Sequence, residues 1–450
     1  MGDYIETDDV VLLLDNYHSD SRNLHTSFKL AGKSYPVAVI EDDGFLPEDV
    51  MSVFGFFLGD FSVEPGVPGR ARYFNQIDVP EYWEISGNNS GGKVHDLGKE
   101  RGRIFYAEPA HKRLVKVVDW YDERGIVRSS DHYNKYGALY ARTIFNAKGQ
   151  RVNKSYFSPS GKEVIMENYV TKNIILNDGD VVRIFSSREE FVCYFLKAAG
   201  LEDRKIYFNT LSTSFFVSQR MGGNGTGDVL FWQEPIRGEI PGNMRIILAG
   251  NATRTHKIMV QKKDAYERLL ELGAPADQIH LLGYIYPFKK ENQHKPEALI
   301  CTNSDRIAKC RELAEALPEM HFYIVALTEM SSKLMSMDSY SNVTLYPGVK
   351  MHVYEELLEK CDFYLDINHE GEILSAVQNA FLHNHLILAF KETMHNPGFV
   401  AEEHVYGAED ADKMITCIRE VMRDRNSMEK HLEMQRKAAL LESPGKYCEI

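Results

Sequence analysis

No Cys-x-x-Cys pair occurs in this chain. Its six cysteines, at positions 193, 301, 310, 361, 417 and 448, are scattered through 450 residues, and none stands at zinc-ligand spacing from a histidine. That pattern excludes a disulfide framework, implies no metal site, and predicts reduced thiols in a cytosolic protein. Cys361, beside a predicted strand, reads as core filler. Long apolar runs are missing too: none approaches the ~20 residues needed to span a bilayer, so no transmembrane segment is expected. Residues Met1 to Asp9 are acidic and lack the basic start and apolar stretch of a secretory signal. Positive charge is the third shortage: 52 Lys and Arg face 65 Asp and Glu, a net charge of -13. Such a chain is poorly suited to nucleic acid, because it releases no counterions from the phosphates. The same charge argues against a broad attraction to anionic lipid.

What is present is enough apolar material for sizeable cores, 44% of the residues, and a length that suits two or three domains. Val10-Val11-Leu12-Leu13-Leu14-Asp15 reads as a buried strand. A helix around Leu24 to Leu30 follows, stopped by Gly32, and then a strand at 37–40. From about 185 the alternation resumes. Ser187 and Glu190 make a capping box ahead of Phe191, Val192, Phe195 and Leu196. Residues 229–232, 245–248 and 279–282 read as short buried strands, and the polar stretch 287–296 suits a linker. Strands are then expected at 299–301, 322–327, 342–345, 363–367 and 386–390. A helix capped by Ser304 carries Ile307, Cys310, Leu313 and Leu317 on one face, and 371–384 reads as another helix.

Between these runs lies the clearest internal signal. Tyr121-Asp122-Glu123-Arg124-Gly125 recurs as Tyr133-Asn134-Lys135-Tyr136-Gly137, as Phe145-Asn146-Ala147-Lys148-Gly149 and as Phe157-Ser158-Pro159-Ser160-Gly161, at a step of twelve residues. Asp, Asn and Ser favour the start of a type I turn, and Gly takes the left-handed position that closes it. The repeat therefore predicts an antiparallel meander of hairpins. Its aromatics, among them Trp120, Tyr121, Tyr133, Phe145 and Phe157, either pack across strands or form an exposed sheet that docks a partner protein.

Two β/α runs separated by a linker imply two doubly wound domains. The expected organisation is a split first domain (1–65 and 185–290), an inserted extended β-sheet domain (66–184) and a second domain (295–450). Such domains bind ligands at the carboxyl ends of their strands. Two segments stand at those places. Trp232-Gln233-Glu234 follows a strand; a Trp with amide and carboxylate neighbours suits sugar or peptide hydroxyls, or is simply a half-buried strand end. Asp366-Ile367-Asn368-His369-Glu370-Gly371-Glu372 leaves another strand and enters a helix.

That second segment resembles the retaining nucleotide-sugar transferases of the two-domain GT-B architecture. The resemblance implies a GT-B-like pair of Rossmann-like domains with the antiparallel β-meander domain inserted. In those enzymes a Glu contacts the donor sugar and a second Glu, eight residues on, holds the nucleotide ribose. Here the first is Glu370, but Gln378 stands at the second position. The usual Glu-Gly-Phe-Gly loop is Glu370-Gly371-Glu372-Ile373, which puts a side chain and a negative charge where a pyrophosphate would approach. Arg306 and Lys309, in the stretch that should supply phosphate-binding cations, are expected inside a helix at shifted positions.

A more specific resemblance rests on longer stretches. They are Gly44-Phe45-Leu46-Pro47, Phe74-Asn75-Gln76 with Trp83-Glu84-Ile85, and Phe231-Trp232-Gln233-Glu234-Pro235 with Pro241-Gly242-Asn243-Met244. Ala326-Leu327-Thr328-Glu329-Met330 and Leu365-Asp366-Ile367-Asn368-His369 complete the set. Together they are similar to the stabilising subunit of the accessory Sec O-glycosylation system, and they span nearly the whole chain. The resemblance implies a subunit that does no chemistry itself and needs no cofactor. Its partner would be a homologous catalytic glycosyltransferase that carries UDP-N-acetylglucosamine, and its ligand the serine-rich repeat adhesin polypeptide, bare or already bearing sugar. It also implies a cytoplasmic location, with association at the inner face of the cell membrane. The acceptor or sugar contacts would fall on Trp232, Gln233, Glu234, His369, Glu370 and Gln378. The competing expectation is an active retaining transferase that uses UDP-N-acetylglucosamine.

Overall fold

A computed structural model describes residues 9–63, 66–222 and 227–450; of the acidic start only Asp9 falls within it. Two compact units, Met1–Leu282 and Gly283–Ile450, are distinguished by their internal packing.

The first unit holds two sheets. Seven strands form a parallel sheet in the order Ile279–Leu281, Thr255–Val260, Asp228–Trp232, Lys205–Phe208, Val10–Leu14, Val37–Val39, Met51–Ser52. Numbered along the chain within this sheet, that is 7-6-5-4-1-2-3, with the switch point of a doubly wound sheet beside Val10–Leu14. All five residues of that strand are buried, as its unbroken apolar run requires at the centre of a parallel sheet. Three strands of this sheet precede the second, antiparallel sheet in the chain, and four follow it.

The antiparallel sheet has ten strands, from Glu84–Gly87 to Val181–Phe185, paired strictly in chain order. Its turns explain the twelve-residue step. The strands Val115–Tyr121, Val127–Tyr133, Leu139–Phe145 and Arg151–Phe157 have seven residues each, and a five-residue turn follows each. Gly125, Gly137, Gly149 and Gly161 sit at φ of 76, 83, 73 and 81°, the left-handed region that disfavours side chains. Each donates its N–H to the carbonyl of the turn's first residue, at 2.9 to 3.0 Å. The carboxyl or carboxamide oxygens of Asp122, Asn134 and Asn146 each accept two further backbone amides. The Asp/Asn-to-Gly spacing therefore builds each turn from its own side chain.

This sheet is covered on opposite faces at its two ends. One cross-strand row runs Ile104, Val118, Asp131, Arg142, Ser155, Met166, Ile175, Ile184. Its first three members are buried, with Val94, Tyr106 and Ile77 packed around Ile104 and Val118. From Arg142 onward the row is half-buried to exposed, ending at Ile184, which is 65% exposed. The other face reverses this. Ala141, Tyr156, Ile165 and Leu176 join the core of the parallel sheet, and the Tyr156 ring stacks on Phe54 with centroids 4.6 Å apart.

The second unit has one six-stranded parallel sheet in the order Val343–Tyr346, His321–Ala326, Glu297–Thr302, Phe363–Asp366, Leu386–Phe390, Val405–Tyr406. That is 3-2-1-4-5-6 within the unit, again doubly wound. The chain is thus mixed α/β, with two parallel sheets and a large antiparallel one.

Three expected elements differ. Residues 245–248 are not a strand but belong to the helix Gly242–Leu248, which buries Met244 and Ile247; a four-residue apolar run is too short to show its period. The helix expected from Ser304 begins only at Cys310 and ends at Ala316, and that expected over 371–384 is confined to Ala376–Leu382. In the first case residues 303–309 pair with 367–370 instead, at the second of the sites below.

Candidate functional site

At the carboxyl edge of the first parallel sheet, Trp232 ends its strand and lines a cavity of about 570 Å³ together with Thr210, Ser212, Glu234, Arg237 and Glu239. The indole is only 4% exposed, and its Nε1–H has no hydrogen-bond partner among the described residues. A buried donor left unpaired costs about 1–3 kcal/mol. Glu234 is exposed beside it. Gln233 is a different matter. Its Oε1 accepts from Ser21 Oγ at 3.3 Å and Asn209 Nδ2 at 3.2 Å, and its Nε2 donates to Gln261 Oε1 at 2.8 Å. Strand alternation turns this amide away from the Trp232 side, so it braces strand ends instead of meeting a ligand.

Three residues of this site escaped the sequence. Asp15, directly after the first strand, accepts from Thr210 Oγ1 at 2.7 Å and from Ser212 Oγ, and its N–H donates to Asn209 Oδ1 at 2.9 Å. Thr210 and Ser212 are the hydroxyl wall of the cavity. The only sequence signal was an Asp at the carboxyl end of a buried strand.

At the carboxyl edge of the second unit's sheet, residues 303–309 pair with 367–370 in place of starting a helix. Ala308 N donates to Ile367 O at 2.8 Å and His369 N to Arg306 O at 2.9 Å, while Ile307 bridges Asn368. Arg306 and Lys309 therefore lie outside the helix. Arg306 Nη1 meets Glu370 Oε1 at 3.0 Å, and Lys309 Nζ meets Glu312 Oε1 at 2.9 Å. Both pairs lie at the surface and contribute on the order of 0–1 kcal/mol each. Glu372 Oε1 accepts from Val377 N at 2.8 Å, so an internal carboxylate caps the helix start. Burial, aided by Asp366, holds this carboxyl above the usual carboxylate range. Leu374 and Ser375 take left-handed backbone at φ of 57 and 48° to make that turn. His369 is exposed, and Gln378 lies half-buried on Ala376–Leu382.

A cavity of about 340 Å³ adjoins these loops, lined by Thr302, Asn303, Asp305, Thr328, Glu329 and Ser331 among others. Its lining carries hydroxyls, an amide and two carboxylates, and no lysine or arginine among the described residues. A neutral hydroxyl-rich ligand suits such walls, whereas a pyrophosphate would be repelled.

Of the aromatics expected at a partner surface, Trp120, Tyr121, Phe145 and Phe157 are half-buried. Trp120 Nε1 already donates to Asp131 Oδ2 at 3.0 Å. Tyr133 is 5% exposed in the sheet's own core, with the Arg72 guanidinium 5.3 Å over its ring. Tyr133 is thereby removed from the candidate surface. Exposed Ile144, Val182 and Ile184 share one face with half-buried Met166 and Ile175.

Four domain families match in chain order: GtfB N-terminal domain over 11–57, GtfB middle domain over 83–186, GtfB third domain over 188–272, and GftB/GlyA-F C-terminal domain over 298–435. The UDP-N-acetylglucosamine–peptide N-acetylglucosaminyltransferase stabilizing protein GtfB of Streptococcus gordonii is 42% identical over 430 residues, 95% of this chain and 94% of that one. The chain belongs to the GtfB family of transferase-stabilizing proteins. Its counterpart from Streptococcus pneumoniae serotype 4 is 41% identical over 429 residues, 95% of each chain. A chain in the crystal structure of a GtfA/B complex bound to UDP and GlcNAc superposes with a TM-score of 0.91, at 41% identity and 98% coverage of both.

In this GtfB-family chain the loop 366–371 is held by a residue that sequence reasoning missed. His395 Nδ1 lies 2.5 Å from Asp366 Oδ1 and its Nε2 2.5 Å from the carbonyl of Glu370, while its backbone N–H donates to Asp366 Oδ2 at 2.7 Å. Both ring nitrogens face acceptors, as an imidazolium requires. The Asp366 hydrogen bond, against the opposing effect of burial, raises the imidazole to about 9. A raised basic pKa stabilises the fold fully below the unfolded value of about 6.5, and that contribution is lost as pH rises through about 9. Denaturant unfolding of the second unit should therefore lose roughly 2–3 kcal/mol between pH 6.5 and 10. His395→Gln should abolish this slope, and a wild-type slope no steeper than the variant's would refute the assignment.

Proposed function

We propose that this chain is the non-catalytic subunit of a UDP-N-acetylglucosamine–peptide N-acetylglucosaminyltransferase. It stabilises a homologous catalytic subunit and holds the serine-rich repeat adhesin polypeptide, bare or already glycosylated, in the cytoplasm before export. The two doubly wound sheets then act as a GT-B-like pair of Rossmann-like domains, 1–65 with 185–290 and 295–450, and the sheet of 66–184 is the inserted domain that meets the catalytic partner. One observation carries the non-catalytic assignment: Glu372 caps the helix where a donor phosphate would need amides and cations, while Arg306 and Lys309 are paired with carboxylates. The family relation and the likeness to a chain of the GtfA/B complex support the partner.

Acceptor binding is assigned to the cavity lined by Trp232 and Glu234. The orphan indole N–H suits an amide carbonyl, and Glu234 suits a hydroxyl or amide donor. Trp232→Phe keeps the ring and deletes the donor; it should weaken binding of a serine-rich peptide about 5- to 10-fold, the effect of one hydrogen bond. Fluorescence anisotropy with a labelled peptide measures this. Unchanged affinity in both Trp232→Phe and Glu234→Ala would remove the acceptor from this cavity.

A further inference from the structure

The antiparallel sheet and the Trp232 cavity are joined by an unbroken run of polar contacts within the first unit. It starts at Glu167 on the strand Glu163–Asn168, on the face that packs against the parallel-sheet core, where the residue is 5% exposed. Arg188, the first residue of the helix Arg188–Ala198, grips that carboxylate with two prongs: Nε to Oε1 at 2.8 Å and Nη2 to Oε2 at 2.9 Å. Its remaining nitrogen, Nη1, bonds Glu41 Oε1. Glu41 follows the strand Val37–Val39, and its N–H donates to the carbonyl of Asp15 at 2.8 Å. The Asp15 carboxylate then holds Thr210 Oγ1 at 2.7 Å, Ser212 Oγ and the backbone N–H of Ser214 at 3.2 Å. Thr210 and Ser212 are the hydroxyl wall of the cavity.

Two physical features make this run stiff. A guanidinium is a planar fork whose two-pronged grip on a carboxylate fixes direction as well as distance. The Arg188 guanidinium also lies 5.9 Å over the Phe54 ring, which packs in turn on Phe191 and on the stacked Tyr156 of the antiparallel sheet. A shift of strand Glu163–Asn168 must therefore either carry Arg188 along or break charge-assisted bonds in a largely buried place, where they are costly to lose.

We infer that Arg188 is a positioning residue that couples the antiparallel sheet to the acceptor cavity, so that partner docking on the sheet and acceptor binding in the cavity alter each other's affinity. This rests on the proposed roles of sheet and cavity. Coupling through one network is reciprocal: the factor by which the partner changes peptide affinity equals the factor by which peptide changes partner affinity.

The test measures the affinity of an unglycosylated serine-rich peptide for the free full-length chain and for its complex with the catalytic subunit. Wild-type chain, Glu41→Ala and Arg188→Lys are compared. In the wild type the two affinities should differ by roughly 5- to 150-fold, with the same factor recovered in partner affinity at saturating peptide. Glu41→Ala removes the acceptor of Arg188 Nη1 at an exposed side chain and leaves the Glu167 grip, so the chain stays folded. It should bring the ratio to within about twofold of one, and Arg188→Lys should do the same. A purely structural role would lower the melting temperature and leave the ratio unchanged, and that outcome overturns the inference. So does a wild-type ratio of one. Peptide binding absent from both free chain and complex would instead overturn the acceptor assignment itself.

Discussion

Met166→Glu combined with Ile184→Glu should weaken association with the catalytic subunit at least about 100-fold while leaving the chain folded, the factor corresponding to ~2.8 kcal/mol. The two residues lie in one cross-strand row with Ile175 between them, on the open part of the antiparallel sheet. Burying each aliphatic side chain at an interface contributes about 1.5–3 kcal/mol, and a carboxylate in its place adds an unpaired buried charge. The outer strand Val181–Phe185 also leaves an apolar edge, with Val182 61% exposed, of the kind proteins normally cover. An obligate interface needs about 2,000 Å² or more, which a ten-stranded sheet can supply. Excising 66–184 tests the same idea less cleanly, because Tyr156, Ile165 and Leu176 belong to the core of the parallel sheet and their loss exposes it. Light scattering of the co-expressed proteins decides the matter: a double variant that assembles at wild-type strength and stoichiometry places the partner elsewhere.

Isolated chain titrated in a calorimeter should bind serine-rich peptide, or its N-acetylglucosamine-bearing form, at least about 100-fold more tightly than UDP-N-acetylglucosamine. Gln378 in place of a ribose-binding carboxylate removes a charge-assisted hydrogen bond of about 1.5–3 kcal/mol, roughly 10- to 150-fold. Glu372 works in the same direction, and here the structure sharpens the argument. Its carboxylate does more than add charge near a phosphate: it already accepts the Val377 amide. Gln378→Glu should accordingly create no transferase activity, because it frees neither that amide nor Arg306, which is turned to Glu370. Tight nucleotide-sugar binding with no detectable peptide binding would reverse the assignment and make the chain an active transferase.

Local chemistry was legible wherever it decided the outcome alone. The Asp/Asn-to-Gly spacing specified the turns of the antiparallel sheet, since a side-chain oxygen and a left-handed glycine need only each other. The apolar run 10–14 specified a central parallel strand, and the departures at Glu372, Ile373 and Gln378 were visible from residue type. What failed were several judgements that depended on which side of an element meets what. Gln233 and Glu234 are adjacent, yet one is consumed by Asn209 and Gln261 while the other is exposed. Arg306 and Lys309 looked helical because Ile307, Cys310, Leu313 and Leu317 have helical spacing, but pairing with 367–370 outweighed a weak propensity. Tyr133 and Ile184 could not be sorted from sequence, since an antiparallel sheet that is covered on opposite faces at its two ends gives no period that distinguishes them. His395 and Asp15 became part of the sites only when strands far apart in the chain placed an acceptor or a hydroxyl within 3 Å of them. By itself, then, the sequence determined turns, most strands and the departures from the donor-loop pattern, because those rest on residue type or on contacts within a few residues. Burial, pairing of charges and the run from Glu167 to Ser212 were decided by tertiary structure alone, because they depend on neighbours that only the folded chain brings together.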